Sequence, residues 1–309
     1  MVKKIVNRFY RSLNMWASKT IWFENTAGFA GCKNILNNNK FDIEVANLGS
    51  SSGFYAFNYD TAGVKGLNLA TPKQSLLADY EMIRNYFSFL KEGAVVIIPL
   101  CLFSALEGED ADFPDKYYVL LQSESIPHYS WKKKLQVMDI FNNPIKYLPL
   151  FCFPREVLRS LKKHKRKQLS KKEMDVDAKR WLDDWAKEFS IIDFNRPLSL
   201  RNQDSFKSAA MLLRNTIDFC ISRNMKPVIV LPPVSKSLSV LYSNQVRKSL
   251  VTDFVAQGNV SKVPFLNYID DEDFVEDDYY RNAFFMSKKG SEAFTKKVIS
   301  DLREMQYLA

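Results

Sequence analysis

The amino-acid sequence predicts an α/β protein: a parallel sheet of five strands with helices on both faces. Two observations carry this expectation. Short β-branched, apolar runs bounded by Gly, Pro or Asn alternate with longer segments whose apolar residues recur at three- and four-residue spacing, and the alternation persists from about residue 41 to about residue 305. At 309 residues the chain fits two domains, or one α/β unit carrying an insertion. Hydrophobic residues at 46% and aromatics at 14% exclude a wholly disordered chain, while Gly 10 and Pro 12 exclude collagen-like or Pro-rich architectures.

Taken in order, Phe41 to Leu48 is a short strand ending at Gly49, and Val64 to Ala70 is a second. Between Lys73 and Leu90 the residues Leu76, Leu77, Tyr80, Ile83, Tyr86, Phe87 and Leu90 make the apolar face of a helix. Gly93 to Leu100 is a continuous β-branched run suited to a strand covered on both faces. Asp204 to Asn224 reads as a helix, Pro227 to Leu231 as a buried strand, Ser235 to Ala256 as a helix, Val263 to Tyr268 as the fifth strand, and Ser287 to about Met305 as the last helix. Such alternation implies right-handed crossovers and a flavodoxin-like three-layer sandwich. Ligands on these sheets bind beyond the carboxyl ends of the strands, which directs attention to Gly49–Gly53, Ala70–Gln74, Leu100–Ser104 and Pro232–Lys236.

Residues 101–200 interrupt the rhythm with aromatic, Pro-broken segments and a charged helical stretch. The expected plan is an N-terminal helical segment over 1–40 and an α/β domain over 41–309, interrupted by a largely helical insertion or cap at 101–200. The 44 Lys and Arg against 35 Asp and Glu leave +9, and the segment from Arg155 to Lys172 alone carries +8. A solvated helical face, an anionic membrane surface and a lipid-linked glycan all fit that charge. Nucleic acid fits least, because no RNA- or DNA-binding signature accompanies it. Trp181 and Trp185, at i, i+4 spacing just after it, read as the buried edge of one helix.

Only His128 and His164 are available to any mechanism that needs an imidazole. Cys32, Cys101, Cys152 and Cys220 are far apart, with no C-x-x-C pair, and most sit in apolar runs. They read as reduced core residues of a cytoplasmic protein, with no metal and no cofactor implied. No apolar stretch is long enough for a transmembrane helix, and no signal-peptide core is present in the first 30 residues. The first twenty residues alternate Lys3, Lys4, Arg8, Arg11 and Lys19 with Ile5, Val6, Phe9, Tyr10, Leu13 and Trp16. That pattern suits an interfacial helix, which would make the protein peripheral at a membrane, but an ordinary amphipathic helix packed on the domain is the expected case.

After the first strand comes Gly49-Ser50-Ser51-Ser52-Gly53, a strand-to-helix turn that can point a serine hydroxyl and backbone N–H groups into the crevice. A helix cap is the plain reading of such a turn. The arrangement as a whole resembles the SGNH/GDSL hydrolase superfamily, in particular the branch of D-alanyl transfer proteins and bacterial polysaccharide-locus proteins. Gly49-Ser50-Ser51 matches the first block and makes Ser51 the position of the family nucleophile. Asn68 with Gln74-Ser75 looks like the second block, Pro99 like the third strand, Val230-Leu231-Pro232-Pro233 like the fourth, and Met286 to Thr295 like the segment after the Asp-x-x-His motif.

In that family the histidine lies five residues before the glycine corresponding to Gly290 and the aspartate three before the histidine. Here those degenerate positions hold Phe285 and Asn282. Phenylalanine accepts no proton, and an unactivated serine is a poor nucleophile near neutral pH. The second block lacks its glycine, and the third offers Ser104 where the family has an oxyanion-hole asparagine. A substitute base would have to be His128 from the insertion or one of Asp270, Asp271, Glu272, Asp273, Glu276, Asp277 and Asp278; the plain readings are a packed or surface histidine and a solvated acidic loop.

The resemblance therefore implies two alternatives. One is a glycan O-acyl esterase or acyltransferase of bacterial surface-polysaccharide biosynthesis, with Ser51 as nucleophile and Gly49, Ser50, Ser52, Asn68, Gln74 and Ser104 around the oxyanion or crevice. The other is a pseudoenzyme, a catalytically inactive module that binds a glycan or a partner in the same crevice.

Overall fold

The computed structural model describes residues 2–38, 41–107, 113–148, 168–194 and 196–308. The chain divides into two compact units, Met1–Asn38 with Ala111–Arg166 and Asn39–Asp110 with Lys167–Ala309. The N-terminal segment thus shares a unit with much of the expected insertion, while the charged helix that begins at Lys171 belongs to the unit of the sheet.

In the second unit five parallel strands lie in the order β2-β1-β3-β4-β5: β1 Ile43–Asn47, β2 Gly66–Asn68, β3 Leu90–Pro99, β4 Lys226–Leu231 and β5 Phe265–Asn267. This is the flavodoxin-like α/β arrangement that the alternation predicts. β1, β3 and β4 are buried over most of their length, as β-branched strands covered on both faces must be. β3 begins three residues before its expected start. It bulges near Gly93, whose φ of 72° suits a residue without a side chain, and the register to β1 shifts between Ile43 and Val45.

The chain steps from β1 outward to β2, then back across to β3, β4 and β5. With right-handed crossovers that reversal puts the helix between β1 and β2 on one face and the crossover helices that follow on the other, while the helix after β5 shares the first face. Accordingly α3 (Ser51–Ala56) packs against the last helix, α13 (Lys288–Glu304), while α4 (Leu76–Tyr86) packs against α9 (Leu200–Ser222). α8 (Lys171–Glu188) opens on a capping box in which Ser170 and Glu173 satisfy each other's backbone N–H groups. The helix expected over 235–256 is broken into α10 (Lys236–Ser239), α11 (Asn244–Arg247), a π turn and α12 (Asp253–Gly258). Arg247 explains the break, since its guanidinium donates to the Tyr242 and Ser239 carbonyls and pairs with Asp270. Those carbonyls are satisfied without a continuous helix.

The first unit comprises α1 (Val2–Ala17), α2 (Cys32–Leu36), α5 (Tyr117–Leu120), α6 (Trp131–Asn142) and α7 (Pro144–Tyr147). Its core gathers Phe23, Phe29 and Phe141, with ring centroids 5.1–5.7 Å apart. Most of the basic segment from Arg155 to Lys172, with His164 and Cys152, lies outside the described residues. Among the described residues no helix is long and apolar enough to cross a membrane.

Candidate functional site

The reversal of strand order falls between β1 and β3, and the crevice at their carboxyl ends is where α/β sheets bind ligands. Ser52 and Ala56 of α3, Leu100–Leu102 after β3, Leu231–Val234 after β4, Tyr242, Ile269, Phe284 and Met286 line it. It is narrow and mostly apolar.

Its serine turn is held from beneath. Gly49 takes φ 108°, a conformation that favours glycine, and its N–H donates to Asp79 Oδ1 at 2.8 Å. Asp79 is 2% exposed and also accepts from Gln74 Nε2 at 2.6 Å, while Gln74 Oε1 accepts from the Thr71 hydroxyl at 2.8 Å. Asn68 does the same work on the far side. Its Oδ1 accepts from Asn47 Nδ2 and the Ala70 N–H, and its Nδ2 donates to the Phe54 and Phe57 carbonyls. The Ser104 hydroxyl accepts from the Cys101 N–H at 3.0 Å and lies 3.5 Å from Cys101 Sγ. The side chains of Asn68, Gln74 and Ser104 are therefore committed to partners within the fold, and the Gly49 N–H to Asp79.

The serines sit above this framework. Ser50 caps α3 by its backbone alone, its hydroxyl 3.5 Å from that of the buried Ser52. Ser51 is the first residue of α3 and half-buried. Among the described residues its hydroxyl makes no hydrogen bond to a histidine or a carboxylate.

The opposite wall is the loop after the acidic segment. Asn282 Oδ1 accepts the N–H groups of Phe284 (3.1 Å) and Phe285 (2.6 Å), an Asx turn that leaves this position a backbone organiser. Arg281 N–H donates to the Phe285 carbonyl, and an isolated antiparallel bridge joins Tyr280 to Met286. The Phe285 ring lies 4.9 Å from Tyr55, one helical turn beyond Ser51, and 5.2 Å from Trp181 of α8. From there the rings continue through Phe284 and Trp185 to Phe103, with centroids 4.5–4.8 Å apart. Trp185 is buried, as the expected inner edge of its helix. Asp177 ties α8 to the loop by accepting the Ala283 N–H (3.0 Å) and the Trp181 indole N–H (3.1 Å) while pairing with Arg180. The Arg281 guanidinium lies 4.2 Å over the Tyr55 ring.

The substitute bases fare differently. His128 is exposed at φ 51° within the first unit. In the acidic segment, Asp270 pairs with Arg247, Asp278 with Lys289 and Asp273 with Lys297, while Asp271 caps the short 3₁₀ turn that follows it. These carboxylates answer local cations. Among the described residues no three His, Cys, Asp or Glu side chains converge as metal ligands do. Burial pushes the Cys32, Cys101 and Cys220 thiols up to about 12, so none of them offers a thiolate nucleophile near neutral pH.

Asp79, Asp177, Tyr55 and Arg281 are the residues that sequence reasoning did not single out. Asp79 left a trace: it lies in the apolar stripe of its helix, where a carboxyl needs a buried partner. No protein-family model matches the sequence, and no curated protein matches it either.

Proposed function

We propose that this chain is a non-hydrolytic SGNH-like protein that binds a glycan at the crevice mouth. The observation that carries this reading is the packing of Phe285: at the position of the general base, an aromatic ring bridges Tyr55 and Trp181, while among the described residues the Ser51 hydroxyl has no hydrogen-bonded base. Without proton removal a serine hydroxyl does not attack an ester at a useful rate. Half-buried Tyr55, Trp181 and Phe285 with Arg281 instead form an aromatic, cationic rim. Such a rim suits the apolar faces of sugar rings and an anionic or acylated substituent.

Two measurements test this. With an activated acetyl ester, wild type and Ser51→Ala are expected to show the same background turnover; turnover that Ser51→Ala abolishes would establish the esterase or acyltransferase alternative. On an array of acylated and free bacterial oligosaccharides, wild type is expected to bind and Tyr55→Ala to lose roughly tenfold or more, a loss typical of removing one central aromatic anchor. Absence of any glycan binding would overturn the ligand half of the proposal.

A further inference from the structure

The feature that the crevice leaves unexplained is α1. Its C-terminal end is seated. Ala17 is fully buried, and the Asn14 side-chain carbonyl accepts the Ile145 N–H at 3.1 Å. Toward the other end Val6 is 57% exposed, Phe9 65% and Tyr10 41%, and Trp16, beside the seated end, is still 37% exposed. At 3.6 residues per turn Val6, Phe9, Leu13 and Trp16 share one side of the helix, and Arg8 and Arg11 fall on the opposite side. The helix is thus packed on its unit at one end, as an ordinary amphipathic helix would be, while the apolar stripe continues past the point of contact into solvent.

Charge says what would cover it. No acidic residue occurs before Glu24, against Lys3, Lys4, Arg8, Arg11 and Lys19. The unit that carries α1 has seventeen Lys and Arg against six Asp and Glu, a formal +11, whereas the unit of the sheet has 27 against 29, or −2. The entire net charge resides in the unit that carries α1.

We infer that α1 is an interfacial helix that docks the first unit on an anionic lipid bilayer. A bilayer supplies both the apolar boundary for Phe9 and Trp16 and the negative surface for the arginines. A second copy of the chain would bring two +11 units together. The 16 residues of α1 rise about 24 Å against an apolar core of about 30 Å, and among the described residues no helix is long and apolar enough to cross a membrane.

The test is co-sedimentation of the full chain with vesicles. Wild type is expected to pellet with phosphatidylcholine–phosphatidylglycerol vesicles at low salt, and to stay in solution with phosphatidylcholine alone. Arg8→Gln with Arg11→Gln should weaken binding on the order of 20-fold, at about fivefold per cation. Phe9→Asp should weaken it by roughly tenfold or more, because a charge then enters the apolar face. Both changes are on exposed positions, and circular dichroism identical to wild type will show that folding is retained. No pelleting with anionic vesicles, or Phe9→Asp binding as wild type does, overturns the inference. So does a dimer in light scattering that Phe9→Asp dissociates while vesicles are ignored, which would assign the face to a second copy.

Discussion

The two walls of the crevice are held by different forces. The serine turn rests on buried hydrogen bonds: Asp79 to Gly49 and Gln74, Asn68 to Asn47, Ala70, Phe54 and Phe57. The facing loop adds rings to the hydrogen bonds of Asn282 and Asp177, with Phe284 and Phe285 against Tyr55, Trp181 and Trp185. A buried polar network specifies one geometry, because every donor left without its partner is costly. Ring packing tolerates other apolar side chains of similar volume. One wall therefore keeps the geometry of a nucleophile turn, and the other is free to be apolar where a base would be needed.

Both walls nevertheless depend on a close backbone approach, and glycine replacement should break them most severely. A Cβ at Gly290, in the first turn of α13, would lie 2.0 Å from the Tyr279 carbonyl oxygen; one at Gly53 would lie 2.6 Å from the Leu48 carbonyl oxygen. Because backbone must shift in each case, Gly290→Ala is expected to cost about 3 kcal/mol and Gly53→Ala about 2 kcal/mol, read from urea unfolding at constant slope. A loss near zero at either position would mean that the wall yields easily.

The contrast between the walls sharpens in the next pair. Asp79→Ala removes the acceptor of the Gly49 N–H and of one Gln74 amide hydrogen bond at a buried position, and should cost about 3 kcal/mol. Phe285→Ala removes a half-buried ring whose neighbours can close on one another, and should cost about 1–2 kcal/mol, below the range for fully buried phenylalanine. Urea midpoints in the reverse order would show the aromatic wall to be the more rigid one.

The sheet was legible because its strands are short apolar runs that alternate with helices, and alternation with right-handed crossovers makes the sheet parallel and covered on both faces. The break at Val240–Ser243 was not, since the periodicity of 235–256 continues through it and only Arg247, reaching back to Tyr242 and Ser239, makes the interruption affordable. The union of 1–38 with 111–166 depends on contacts between segments more than seventy residues apart in sequence, which no local pattern encodes. At the site, the block that carries Ser51 and the positions Asn282 and Phe285 could be aligned by spacing. The roles of Asn68, Gln74 and Ser104 could not, because an amide or hydroxyl reads the same in sequence whether it faces a ligand or a buried carbonyl.

The smallest expected effect separates two serines at the starts of two helices. Ser287 caps α13: its hydroxyl accepts the Gly290 N–H at 3.1 Å and donates to the Asp278 carbonyl at 2.8 Å. Ser287→Ala should cost about 1 kcal/mol, the usual loss for such a cap. Ser51 follows the cap residue of α3 and has no side-chain bond to lose among the described residues, so Ser51→Ala should change stability by less than about 0.5 kcal/mol. Since α3 is positioned from outside by Asp79 and Asn68, its hydroxyls are dispensable to the fold. A loss of about 1 kcal/mol or more at Ser51 would instead reveal a partner for that hydroxyl, and with it a reason to look again for a base.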